Sequence, residues 1–118
     1  MATHVSLYRC LAVADELAVE RGIECEVIDP LTLLPLDGET IFGSVRRTGR
    51  LVVVHEDTLT GGWGAEVAAR AADECLYSLE APVKRVASLD VPAPAAPVLE
   101  QAVLPSVERI ARTIRELR

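Results

Sequence analysis

Large rings are scarce in this sequence: one Trp, one Phe and two Tyr make up 3% of 118 residues. So few aromatics cannot build a base-stacking platform, which sets aside a stacking reader of nucleic acid. Lysine is scarcer still, Lys84 being the lone one among twelve cations, and eighteen acidic residues outweigh them to give a net charge of −6. Phosphate backbones and anionic lipid surfaces are repelled overall, so neither nucleic acid nor membrane is expected as a partner. Cys10, Cys25 and Cys75 are odd in number and far apart, with neither a disulfide framework nor a zinc spacing. They read as small core residues in a reducing cytoplasm. No apolar run approaches a membrane span, and the N-terminus lacks the charged-then-apolar plan of a secretory signal. The length provides for a single domain, 1–118, and excludes a two-domain enzyme.

Half of the residues are apolar, and with so few rings the core falls to Val, Leu, Ile and Ala. That suits β-branched strands under Ala-rich helices. Tyr8, Leu11, Ala12, Ala14, Leu17 and Ala18 recur at three and four within 5–21, predicting a helix that Gly22 ends. Ile23, Cys25 and Val27 then alternate with Glu24 and Glu26, the pattern of a strand with one exposed side. Asp37 is placed to cap a helix carrying Ile41 and Val45, which Gly49 ends. Leu51-Val52-Val53-Val54 has no polar alternate and reads as a parallel strand buried on both faces. An Ala-rich helix to about Leu76, a third strand Val83–Ala87, a proline-rich extended stretch, a helical turn at 98–103 and a helix carrying Val107, Ile110, Ile114 and Leu117 follow. This order predicts an α/β fold, a three-layer α/β/α sandwich with a mostly parallel sheet.

In such folds ligands gather at the carboxyl ends of strands, which singles out His55, Glu56 and Asp57 and the turn with Gly62 and Gly64. Backbone N–H groups at that helix N-terminus suit a small anion. Against this, the spacing matches no phosphate-binding fingerprint, and no Lys or Arg lies near the turn in sequence. A strand end and a tight turn explain the segment more economically. A metal site there is disfavoured because successive strand residues point to opposite faces. Trp63, the lone Trp, either anchors an interface or lids the helix beneath it, and Glu80 puts an acidic group on an exposed corner.

Several segments in order carry a further signal: Glu26-Val27-Ile28-Asp29-Pro30-Leu31, Leu51-Val52-Val53-Val54-His55-Glu56-Asp57, Thr60-Gly61-Gly62-Trp63-Gly64-Ala65-Glu66 and Leu79-Glu80-Ala81-Pro82-Val83. Together they resemble the C-terminal domain of the beta subunit of thiamine-diphosphate-dependent 2-oxo acid dehydrogenases of the pyruvate and branched-chain complexes, a domain of the transketolase C-terminal type. The resemblance runs from about Arg9 to the C-terminus. It implies assembly with alpha and beta subunits and docking to the subunit-binding domain of the acyltransferase, with Glu80 at the docking position. It also implies that thiamine diphosphate and magnesium belong to the parent enzyme, with no catalytic, cofactor or metal residue in this chain. The family's domain opens with a central buried strand, whereas here only Met1–His4 precede Val5. The expectation is therefore an N-terminally truncated sheet with two partnerless neighbours and a frayed terminus around His4. Two other readings stand beside this one: a free-standing module binding a small anion at 55–64, and a non-functional gene fragment.

Overall fold

The apolar run becomes β1, Val52–Thr58, which pairs in parallel with β2, Lys84–Ser88, in a computed structural model that describes residues 1–117. Val52 lies opposite Lys84, Val53 opposite Arg85 and Val54 opposite Val86. Helices cover both faces, which is why the strand carries no polar alternate. On one side α1 (His4–Arg21) and α5 (Val107–Glu116) pack Cys10, Val13, Leu17, Ile110 and Ala111 against Val54 and Val86. On the other, α2 (Gly38–Thr48) and α3 (Gly64–Glu74) pack Ile41, Phe42, Val45, Val67 and Ala71 against Val53. A short exposed helix, α4 (Pro97–Val103), leads into α5. These are the three layers of an α/β/α sandwich.

The predicted end signals hold. Asp37 accepts from Thr40 N at 3.1 Å, while Gly22 and Gly49 end their helices at φ 65° and 71°; the structure adds a cap at α5, where Ser106 accepts from Arg109 N at 3.1 Å. The buried face of α1 differs from the sequence reading. Ser6, Cys10, Val13 and Leu17 face inward, and Tyr8 and Leu11 are 73% and 45% exposed. Apolar residues lie on more than one side of this helix, so the sheet beneath chooses the face. Ser6 is drawn in by Glu56, whose carboxylate accepts from Ser6 N at 3.1 Å and lies close to Ser6 Oγ.

Two further expectations are corrected. The terminus is not frayed, because Met1 and Ala2 are buried and enter the sheet. Met1 N donates to Val52 O at 3.0 Å, Val54 N donates to Met1 O at 2.9 Å, and Ala2 N donates to Ile28 O at 3.0 Å. Residues 23–28, predicted as a strand, form no regular ladder. Their side chains still alternate: Ile23, Cys25 and Val27 pack towards α1 and α5, while Glu26 meets Ser44 and Arg47 of α2 at 2.8 and 2.6 Å. The pattern is that of a strand whose neighbour on the β1 side is only two residues long. Strand assignment needs a partner as well as a sequence.

Core deletion separates this packing from surface contacts. Ile110→Ala is expected to cost about 2–5 kcal/mol, whereas Leu99→Ala, at a 58% exposed position, stays within about 0.5 kcal/mol. Urea midpoints at constant m-value check both.

Candidate functional site

At the carboxyl end of β1 the register with β2 slips between Val54 and Thr58, so the strand bulges at His55–Asp57. Bulges re-aim side chains. Here His55 turns fully inward, with 0% exposure, beneath the start of α3. Its ring lies 4.7 Å from that of Trp63, tilted by 38°. A Cβ at Gly64 would collide with the imidazole, and one at Gly62 would come within 2.8 Å of its Cε1. Gly64 therefore serves close packing over His55, while Gly62 is required first by the Thr58 carbonyl, with which its Cβ would collide, and then by the ring. Neither ring nitrogen makes a hydrogen bond of normal geometry within the described residues. Burial, only partly offset by the charge of Asp57, holds the imidazole pKa below its ordinary value.

Glu56 faces the opposite side, where its carboxylate meets the first turn of α1, a helix without a side-chain cap or an acidic residue there. An acceptor at a helix start stabilises the exposed N–H groups. Asp57 stays local, accepting from Thr58 N at 2.8 Å. The sequence places no cation near this turn, but the fold does: Arg85 of β2 donates to Leu59 O at 2.6 Å. Asp90 also converges, accepting from Thr60 N at 2.9 Å and from the Thr60 hydroxyl, and these bonds hold its carboxyl below the usual range. Both contacts span about thirty residues, beyond the reach of local pattern.

Glu80 sits at the other end of the strands. Its backbone N–H donates to Gly49 O at 2.8 Å, and its side chain lies over Gly49, where a Cβ would come within 2.7 Å of Glu80 Cγ. Arg50 donates to Glu80 Oε2 at 2.8 Å and to Leu117 O at 2.7 Å, tying this corner to the end of α5. The Glu80 side chain nonetheless stays 64% exposed. The fold thus gathers His55, Gly62, Trp63 and Gly64 into one packed unit and holds Glu80 apart. Arg50 was missed by sequence reading, its partners being thirty and sixty-seven positions away.

Residues 1–110 match the family model of the transketolase C-terminal domain. The chain belongs to the transketolase C-terminal domain family. It is 48% identical over 98 residues to 2-oxoisovalerate dehydrogenase subunit beta 2, mitochondrial, of Arabidopsis thaliana, covering 83% of this chain and 27% of that protein. With the same plant's pyruvate dehydrogenase E1 component subunit beta-1, mitochondrial, it shares 46% over 102 residues, 86% of this chain and 28% of that one. A solved structure titled split gene transketolase, inactive beta4 tetramer, superposes with a TM-score of 0.82 at 28% identity, over 98% of this chain and 37% of the other. The chain thus spans somewhat over a quarter of the length of these two curated relatives.

The buried histidine makes stability depend on pH. Its folded-state pKa is lowered, so as the pH falls the unfolded chain takes the proton first. This contribution is intact above about pH 6.5 and is lost below it by up to about 1.4 kcal/mol per pH unit, until the folded-state pKa is reached. Thermal melts between pH 7.5 and 5 are expected to show the slope in the natural chain and a flatter one in His55→Leu; equal slopes would remove His55 from the explanation. Gly64→Ala is expected to cost about 1–3 kcal/mol through overpacking, and a double-mutant cycle with His55→Ala should recover part of that loss.

Proposed function

We propose that this chain serves as the C-terminal domain of a thiamine-diphosphate-dependent 2-oxo acid dehydrogenase beta subunit, of the branched-chain or pyruvate type, acting in the cytoplasm. The observation that carries this reading is the 46–48% identity to two such beta subunits over more than four-fifths of the chain. Its contribution is to assembly with alpha and beta subunits and to docking on the subunit-binding domain of the acyltransferase.

The residues present do not suit a magnesium and diphosphate site. Among the described residues no three His, Cys, Asp or Glu side chains converge on a common point. Arg85, which approaches the glycine turn, is engaged with Leu59 O, and His55 is closed off beneath Gly62 and Gly64. We place cofactor chemistry in the parent assembly.

Docking is assigned to Glu80 because its carboxylate is both exposed and held in place by Arg50. A fixed charge on an exposed corner steers a basic partner without being desolvated beforehand. Trp63 is half-buried at the opposite end of β1 with its ring against His55, which favours a lid over an interface anchor. No helix among the described residues is long and apolar enough to cross a membrane.

Co-expression with an alpha subunit and the pyrimidine-binding half of a beta subunit is expected to give one complex on size exclusion; separate elution would contradict the assembly role. In calorimetry against the subunit-binding domain, Glu80→Lys is expected to weaken binding about tenfold. The ion pair with Arg50 is exposed and worth at most about 1 kcal/mol, so folding should survive. Unchanged affinity would take Glu80 out of the interface.

A further inference from the structure

The ring of the lone Trp lies against His55, so it is not the aromatic this fold offers to a partner. That ring is Tyr77, 99% exposed, with Leu76 beside it at 59%. Single apolar residues on a surface need no explanation. This pair differs in being adjacent, held by a closed turn, and three positions from a fixed carboxylate.

The turn is anchored at both ends. Cys75 is buried, donates its N–H to Ala71 O at 2.9 Å as α3 ends, and lies with its Sγ 3.8 Å from Phe42 O. Leu79 packs against the core that contains Ile41, Phe42 and Val67. Between these anchors Ser78 N and Leu79 N both donate to Cys75 O, at 2.9 and 3.0 Å. With Cys75 and Leu79 facing inward, Leu76 and Tyr77 are left facing solvent.

Glu80 continues the same turn. Its N–H is bonded to Gly49 O and its carboxylate to Arg50, each at 2.8 Å. Three residues of chain keep the Cα atoms of Tyr77 and Glu80 within roughly 10 Å. One docked element of a partner therefore meets both.

The two groups contribute different terms. An exposed carboxylate steers and orients a cation but stays hydrated, and an exposed ion pair adds little affinity. A tyrosine ring buries a large area while ordering only two torsions, accepts a cation over its face, and keeps its hydroxyl in water. A partner element whose basic side chain emerges from an apolar surface satisfies both, its cation at Glu80 and its aliphatic stem on Tyr77 and Leu76. The net charge of −6 favours such a basic partner over a second copy of this chain.

We propose that Tyr77, with Leu76, is the desolvated anchor of the docking surface on which Glu80 is the charged guide, and that it receives the apolar surface around a basic side chain of the acyltransferase's subunit-binding domain. This rests on the docking reading above and adds to it the residue that holds the partner after encounter.

The test is calorimetry and stopped-flow binding of the subunit-binding domain to the 118-residue protein and to its Tyr77→Ala, Tyr77→Phe and Glu80→Lys variants. Tyr77→Ala is expected to weaken binding about thirtyfold, through faster dissociation, with a less negative heat-capacity change and an unaltered salt dependence. Tyr77→Phe should bind as the natural chain does. Glu80→Lys should instead slow association and flatten the salt dependence. At a position this exposed, Tyr77→Ala should leave the melting temperature unchanged. Natural affinity in Tyr77→Ala with weakened binding in Glu80→Lys overturns the anchor and leaves the docking reading standing. Natural affinity in both overturns the docking reading and the anchor with it. Tyr77→Phe as weak as Tyr77→Ala overturns an apolar anchor in favour of a hydrogen bond from the phenol. Loss of assembly with the alpha subunit in Tyr77→Ala, with affinity for the subunit-binding domain unchanged, overturns it in favour of an assembly contact.

Discussion

Three backbone hydrogen bonds made by Met1 and Ala2 join the two halves of this sheet. β1 and β2 pair directly, whereas among the described residues the backbone of 23–28 connects to β1 through the bond from Ala2 to Ile28 and the bonds of Met1 to Val52 and Val54. An amide bond of this kind contributes about 1 kcal/mol net, yet leaving its partners buried and unpaired costs more. Most of the segment's adhesion therefore comes from its side chains, Ile23 against the α1 and α5 layer and Glu26 against α2. The result is an extended segment held mainly by its faces.

That division also sets the character of the two strand ends. At the carboxyl end the bulge in β1, the inward imidazole and two glycines make a packed plug, with Arg85 and Asp90 closing the turn. A neutral histidine buried without hydrogen-bond partners is a stability liability that dense packing compensates. At the amino end Arg50 binds both Glu80 and the last turn of the chain, which leaves an exposed carboxylate in a defined place. Of the two ends, the amino end is the one with an exposed carboxylate held in place.

Much of this was legible in the sequence because it is local. Gly22, Gly49, Asp37 and Ser106 mark helix ends by conformation and hydrogen bonding within a few residues, and the Val52–Val54 run announces burial on both faces. The family motifs located Glu80, but nothing local revealed Arg50 as its partner. The inward face of α1 was not legible, since Tyr8 and Leu11 compete with Val13 and Leu17 for the same role and tertiary contact decides. His55 beside Glu56 and Asp57 looks like a polar strand end, and only the bulge sends it into the core. Residues 23–28 show the converse case: strand alternation was read correctly, while ladder formation depends on a neighbour elsewhere in the chain.

Amide hydrogen exchange on β1 tests most directly whether Met1 and Ala2 pair with β1 as described. Val53 faces β2 and Val54 donates to Met1 O, so both amides should exchange slowly, near the global unfolding limit. A Val54 amide that exchanges orders of magnitude faster than that of Val53 would contradict this picture of the sheet.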